Sequence, residues 1–231
     1  MSKVELPQKM MPYSPHNQGC GPFVTISRQF GCWGFALALL LRDSLNEHLP
    51  PSKTWKILNK EILERLAREI DLPAEILDLQ RRSKPSLLVD FFRSLSDQRI
   101  PSGYEIRNRI TTLIRGEAIR GHAIIVGQGG AGATTDLPHG LSIRLEAPRQ
   151  WRIEQVAYRE QVSESKAGEL IDEMEEVREY LRKIYDVRFP RKPAFHLTYD
   201  CSIFTLAQIA QHVTYAMKLR GLIHNMPRDA R

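Results

Sequence analysis

The chain has 231 residues, 42% of them apolar and 26% charged, a balance that suits a folded domain and excludes disorder as the dominant state. Its net charge of +6 favours anionic partners, but no block of Lys/Arg, RNA-binding signature or zinc-finger spacing selects a specific nucleic acid over a nucleotide. No apolar run approaches the roughly 18 residues of a membrane span, and Cys20, Cys32 and Cys201 have neither disulfide-framework nor metal-site spacing.

Residues 1–21 hold three prolines (Pro7, Pro12, Pro15), lack periodicity and are predicted to be a flexible arm. They carry no apolar segment behind a basic start, so a cytoplasmic protein is expected. FVTIS, Phe23–Ser27, is a β-rich run between Gly21-Pro22 and RQFGCWG. GFALALLLRDSLNEHL then predicts a helix from Gly34 that ends before Pro50-Pro51. TWKIL is a second short strand, and NKEILERLAREI opens as a helix that Asn59 is placed to cap. Further helices are expected over 73–121, punctuated by Pro73, Pro85 and Pro101-Ser102-Gly103.

HAIIVG is an apolar run of the kind found in a strand covered on both faces, and GLSIRLEA is another strand. Pro148 begins a helix that runs through Glu160. Ser163 caps the next helix, to about Tyr185, with Lys166 at the third position, so no capping box forms there. FHLTYD is the last strand. Leu206, Ile209, Ala210, Val213 and Met217 lay an apolar stripe along the final helix, and 220–231 form a tail. Strands alternating with helices predict one α/β domain over 22–219, with a mainly parallel sheet flanked by helices and ligands gathered at the carboxyl ends of the strands.

The segment VTISRQFGCWGFALALLL joins strand to helix through a glycine-containing loop. Such a helix start offers unpaired N–H groups and a positive dipole end to a phosphate. It does not match G-x-x-x-x-G-K-[ST], whose Lys holds the outer phosphates and whose Ser/Thr holds magnesium. Arg152 and Arg159 fall within about 20° of one another on their helix, a pairing that suits either a phosphate clamp or a solvated face. Asp172, Glu173, Glu175 and Glu176 read as a solvated acidic face. GQGGAG, Gly127–Gly132, superficially resembles a dinucleotide fingerprint, but GATTDLPHG after it does not open a helix, so that reading is rejected. Cys32 stands where a helix N-terminus lowers a thiol pKa, yet no neighbouring His suggests a cysteine enzyme.

ISRQFGCWG, Ile26–Gly34, resembles the I-S-R-E-[FY]-G-S-G-G-R signature of the cytidylate kinase-like family. The likeness continues in order through ILNKEILERLA, HAIIVGQGG, LEAPRQWRIEQVAYREQVSESKA, REYLRKIYDV and FHLTYDCSIFTLAQIAQHV, over roughly 22–218. The resemblance implies a P-loop NTPase fold of nucleoside-monophosphate-kinase type, with ATP and Mg2+ as cofactors. It also implies transfer of the ATP γ-phosphoryl group to a CMP-like nucleoside monophosphate. Carried across, it gives Ser27, Arg28, Gln29, Gly31 and Gly34 to ATP phosphates, Asn59 and Gln128 to the substrate, and Arg152 and Arg159 to catalysis. Nucleotides are the expected partners; neither membrane nor specific nucleic acid is.

Four departures from the family and one from the ordinary P-loop stand beside that likeness. Gly34 takes the place of the ordinary P-loop lysine, as it does in the family. Phe35, where the family carries Arg, offers neither charge nor a magnesium ligand, and Trp33 replaces a small residue. The arginine of the family's G-R-G segment is Gln128, and its aspartate at the second helix is Asn59. A nucleotide-binding sensor that keeps the fold without the chemistry is therefore the alternative.

Overall fold

In the computed structural model, residues 20–47, 49–59, 103–186 and 195–223 are described, together with Ile62, Glu64, Arg65 and Arg68. Five strands form one sheet: β1 Phe23–Arg28, β2 Lys56–Leu58, β3 Ala123–Val126, β4 Gly140–Glu146 and β5 Leu197–Asp200. Their order is β2-β3-β1-β4-β5, and every pairing is parallel. Parallel neighbours need crossovers, and helices supply them: α1 Gly34–Asn46, α2 Gly103–Arg120, α3 Gly130–Ala133, α4 Arg149–Glu160, α5 Glu164–Asp186 and α6 Leu206–Leu219. No helix among the described residues is long and apolar enough to cross a membrane.

Successive strand residues point to opposite faces, and here both faces are covered. Val24, Ile26, Ile124 and Val126 bury one way against Leu37, Ala38 and Leu41 of α1 and Val213 and Met217 of α6. Phe23, Ala123 and Ile125 bury the other way against Ile106, Ile110, Ile114 and Ala118 of α2 and against Ile62. Each of the isoleucines on α2 contributes about 1.5–3 kcal/mol when removed fully from water. A third cluster, Ile153 and Val156 of α4 with Ala167 and Ile171 of α5, joins those helices into a hairpin, and Phe30 from the β1–α1 connection packs on it.

The helix ends follow local chemistry. Thr205 and Gln208 form a reciprocal capping box at α6, which the sequence reading did not anticipate. Ser163 Oγ accepts from Lys166 N at 3.3 Å, as its position predicts. Pro148 is the N-cap of α4, one residue outside the helix it was expected to begin. Packing also runs past both expected edges of the domain. Gly21 N donates to Ile119 O, and Leu222 is buried with its N–H on Met217 O. Of the helices expected over 73–121, the part from 103 is α2; residues 73–102 lie outside the described residues, as do 1–19 of the arm and 224–231 of the tail.

A single helical turn, α3, follows β3 at Gly130–Ala133, closed by Thr134 Oγ1 on Gly130 O, and no helix opens over 134–140. That turn does not make a dinucleotide fold, because β3 rather than β2 lies between β1 and the sheet edge.

Candidate functional site

β1 lies at the centre of the sheet, so the loop that leaves its carboxyl end opens in the middle of the crevice where such sheets hold ligands. β1 pairs with β4 as far as Arg28 opposite Leu145, which makes Ser27 and Arg28 strand residues rather than loop residues. Gln29 continues the pairing through its N–H on Leu145 O. The turn itself is built at Gly31, whose φ of +92° places it in the left-handed region. A Cβ there would stand 3.0 Å from Arg152 Cβ and 3.1 Å from Arg152 O, so only glycine lets the loop lie this close to α4.

At Trp33 (φ −64°, ψ 53°) the chain makes an inverse γ-turn, with Gly34 N donating to Cys32 O at 2.6 Å. That bond occupies the first N–H of α1 internally. No side chain caps α1, so its remaining dipole end faces the crevice uncompensated by a cap.

Arg28 crosses this opening. Its Cδ and Cγ lie against Gly34, 3.1 and 3.2 Å from where a Cβ would be, and its Nη1 fills the space a Cβ on Gly127 would need. The guanidinium thus spans from the start of α1 to the end of β3. Beyond it, Gly127, Gln128 and Gly129 take φ of +69°, +57° and +77° in succession. For Gln128 that conformation costs about 1–3 kcal/mol, a strain held next to the crevice. Asn59 follows β2 directly, two strands away from β1. The cap expected of it falls on residues outside those described.

The polar side chains at the end of β1 are engaged. Ser27 Oγ accepts from Arg144 Nη1 at 2.9 Å, and Gln29 Oε1 accepts from Ala147 N at 3.0 Å. From α4, Arg152 is 4% exposed and donates to Ala147 O, to Phe30 O at 3.3 Å and to Glu175 Oε1 at 2.5 Å. Arg159, two turns along, lies over Trp33 with its guanidinium carbon 4.7 Å from the ring centroid. Both arginines of the expected pair therefore reach the β1–α1 loop, one buried at its backbone and one exposed on its indole.

Two readings of the sequence change. The acidic cluster is not merely a solvated face, because Asp172 pairs with Arg149 and Glu175 with Arg152, fastening α5 to α4. Cys32 has its pKa raised, not lowered, first by a hydrogen bond with the Cys201 thiol and then by burial. Sequence reasoning also missed Arg178 of α5, which donates to Arg28 O at 3.2 Å and stacks on Phe30 at 5.4 Å. No spacing signal relates those residues, and only the fold brings them together.

The loop suits the phosphates of ATP: an uncapped helix start, a glycine turn and a guanidinium beside them. Magnesium fits less well. Phe35 has no oxygen to give, and no group of three His, Cys, Asp or Glu able to hold a metal occurs among the described residues.

Residues 23–205 match the model of the Cytidylate kinase-like family. No curated protein matches the chain. Among solved structures, an uncharacterized protein from Eubacterium ventriosum superposes with a TM-score of 0.60 at 18% identity, over 86% of this chain and 98% of that one. A shikimate kinase from Acinetobacter baumannii, in complex with shikimate, gives a TM-score of 0.47 at 12% identity, over 89% of this chain and 97% of that one.

Proposed function

The chain belongs to the cytidylate kinase-like family, and on that premise we propose that it transfers the γ-phosphoryl group of ATP to a nucleoside monophosphate of CMP type. The observation that carries the proposal is the course of Arg28, laid from the start of α1 to Gly127 across the central crevice. In the reaction the bond between the γ-phosphorus and its bridging oxygen breaks as an acceptor phosphate oxygen bonds to that phosphorus, leaving ADP and a nucleoside diphosphate. Such transfer depends on positioning and on cancelling charge over the migrating group.

Each residue then has a part. The α1 end, Gly31 and Gly34 shape the cradle, and Arg28 supplies its fixed positive charge. Ser27 and Gln29 hold the cradle's walls through Arg144 and Ala147. Arg152 is the positioning residue of the pair, because its donors secure Phe30 O and Glu175. Arg159, with 62% of its side chain exposed, is free to leave the Trp33 ring for the transferring phosphoryl group. Gln128 and Asn59 are assigned to the acceptor. ATP supplies the phosphoryl group, and no step is assigned to a metal.

The test is a panel of nucleoside monophosphates with ATP and magnesium. Transfer to CMP or a related acceptor above background supports the proposal. Absence of transfer to all of them, with a nucleotide-induced rise in melting temperature retained, replaces it with a nucleotide sensor. Trp33, Phe35 and Gln128 favour that second reading, since Phe35 carries neither the charge nor the oxygen of an ordinary P-loop, Trp33 crowds the loop and Gln128 is neutral.

A further inference from the structure

Arg107 of α2 has its Nε buried, with no hydrogen-bond partner among the described residues. A buried donor left unmade costs about 1–3 kcal/mol, so its retention asks for an explanation. Its position in the fold supplies one. α2 ends at Arg120, just before β3, and runs antiparallel to that strand. Counting back from Arg120 at 1.5 Å per residue puts Arg107 about 20 Å up the helix. The chain from His122 to Gly127 rises about 17 Å at strand spacing. Arg107 therefore stands level with the end of β3, where the left-handed run Gly127–Gly129 turns and the Arg28 guanidinium lies.

The helix face is also fixed. Arg107 shares a stripe with Thr111, Ile114 and Ala118, all buried, and Thr111 Oγ1 donates back to Arg107 O. Eight residues on, along the flank of that stripe, Arg115 reaches Ala133 O and Asp136 beside α3. At about 100° per residue Arg107 lies on the stripe itself, about 80° round the helix from Arg115, and about 12 Å nearer the level where β3 ends. A guanidinium is a planar, permanently charged fork suited to phosphate oxygens, which the neutral Gln128 amide matches only in part.

We propose that Arg107 binds the phosphate monoester of the acceptor, an inference that rests on the kinase reading and specifies what its acceptor carries. The probes are CMP and cytidine, tested on the parent protein, on Arg107→Met and on Arg107→Lys by thermal melting and by steady-state transfer from ATP. CMP raises the parent's melting temperature and cytidine does not. Arg107→Met keeps or raises the melting temperature without ligand, because it removes an unmade donor, yet it loses the CMP shift. It raises KM for CMP by about 10- to 100-fold, the equivalent of about 1.5–3 kcal/mol for a hydrogen bond to a charged group, and leaves KM for ATP within about twofold. Arg107→Lys recovers part of the CMP shift. A fall in ligand-free melting temperature with the CMP shift intact would overturn the proposal, making Arg107 structural. Transfer by the parent only to an acceptor without phosphate would overturn it together with the monophosphate acceptor, while leaving phosphoryl transfer from ATP in place. Loss of transfer to every acceptor, with the CMP shift still dependent on Arg107, would sink the kinase reading alone.

Discussion

The guanidinium of Arg159 rests on the ring of Trp33, 4.7 Å from its centroid, and so ties the far end of α4 to the loop between β1 and α1. A contact of this kind contributes about 0.5–1 kcal/mol at an exposed site, little enough for a phosphate to compete with it. Nucleotide binding should therefore separate the pair. Trp33 emission, read as the difference between the parent and Trp33→Phe, is expected to change on adding ATP. Arg159→Ala should abolish that change and lower turnover by about 10²-fold, the usual loss for one missing electrostatic donor, while ATP affinity alters less. An unchanged kcat in Arg159→Ala would confine this arginine to packing.

Arg28 and Gly127 are expected to behave as one unit. Arg28→Ala should weaken ATP binding by about 1.5–3 kcal/mol, measured by calorimetry. Gly127→Ala forces a Cβ into a residue at φ +69° and onto Arg28 Nη1, so it should cost about 1–2 kcal/mol of stability from the backbone alone and displace the guanidinium as well. The double variant should lose less than the sum of the two, because removing the Arg28 side chain relieves the clash and leaves only the backbone strain. Strict additivity would mean that the two residues do not meet in solution.

Much of this arrangement was legible in the sequence, and for identifiable reasons. Val24, Ile26, Ile124 and Val126 announce strands buried on both faces because their apolar runs are short and bounded by Gly and Pro. Gly31 and Gly34 mark a close loop before a helix, which is how the candidate phosphate loop is legible in the sequence. What could not be read is every contact that depends on how α4 and α5 fold back. Glu175 looked solvated because nothing in a single helix reveals that Arg152 lies against it. The reach of Arg28 to Gly127 likewise exists only because β3 is seated next to β1. The Cys32 thiol was misread because Cys201, at the end of β5, is distant in sequence.

Restoring an ordinary P-loop lysine should fail for a steric reason. Gly34 is buried, and a side chain there meets Arg28 Cδ and Cγ and Ile26 Cγ2 within 3.4 Å. Gly34→Lys is thus expected to lower the melting temperature without raising transfer, and pairing it with Arg28→Ala should recover stability. Phe35→Ser, at a residue 45% exposed, should change stability by no more than about 0.5 kcal/mol. A Gly34→Lys protein that melts like the parent and transfers faster would show that Arg28 moves aside freely.

Stability should also fall on mild acidification because of His122. Burial, and then the charge of Lys53, lowers the pKa of this imidazole, which stands edge-on to Trp55 at 5.4 Å. Its folded pKa lies below its unfolded value of about 6.5, so the unfolded chain binds the proton more readily. The contribution is therefore fully present above the unfolded pKa and is lost as pH drops from there towards the folded value. His122 holds φ +52°, so Asn, which tolerates that conformation, is the replacement to use. His122→Asn should flatten the melting-temperature profile below about pH 6.5; an identical profile would assign the acid loss to other groups.

The pair Arg152–Glu175 decides whether α4 holds the loop or merely touches it. Arg152 is almost wholly buried, with Nη1 shared between Glu175 Oε1 and Phe30 O, while about a third of the Glu175 side chain stays in water. Removing the carboxylate leaves a buried cation with only carbonyl partners. Loss of one member of a fully buried pair costs about 3–5 kcal/mol, and the partial exposure of Glu175 brings the expectation for Glu175→Gln to about 2–3 kcal/mol. Arg152→Met removes the charge and keeps much of the volume, so on stability alone it should be milder than Glu175→Gln. Its effect on function should be larger, because Phe30 O and Ala147 O then lose the donor that holds Gly31 against α4. The expected signature is therefore a crossed one: Glu175→Gln lowers the melting temperature more, and Arg152→Met lowers ATP affinity more. If both variants lose stability and affinity in the same proportion, the pair supports the fold without positioning the loop.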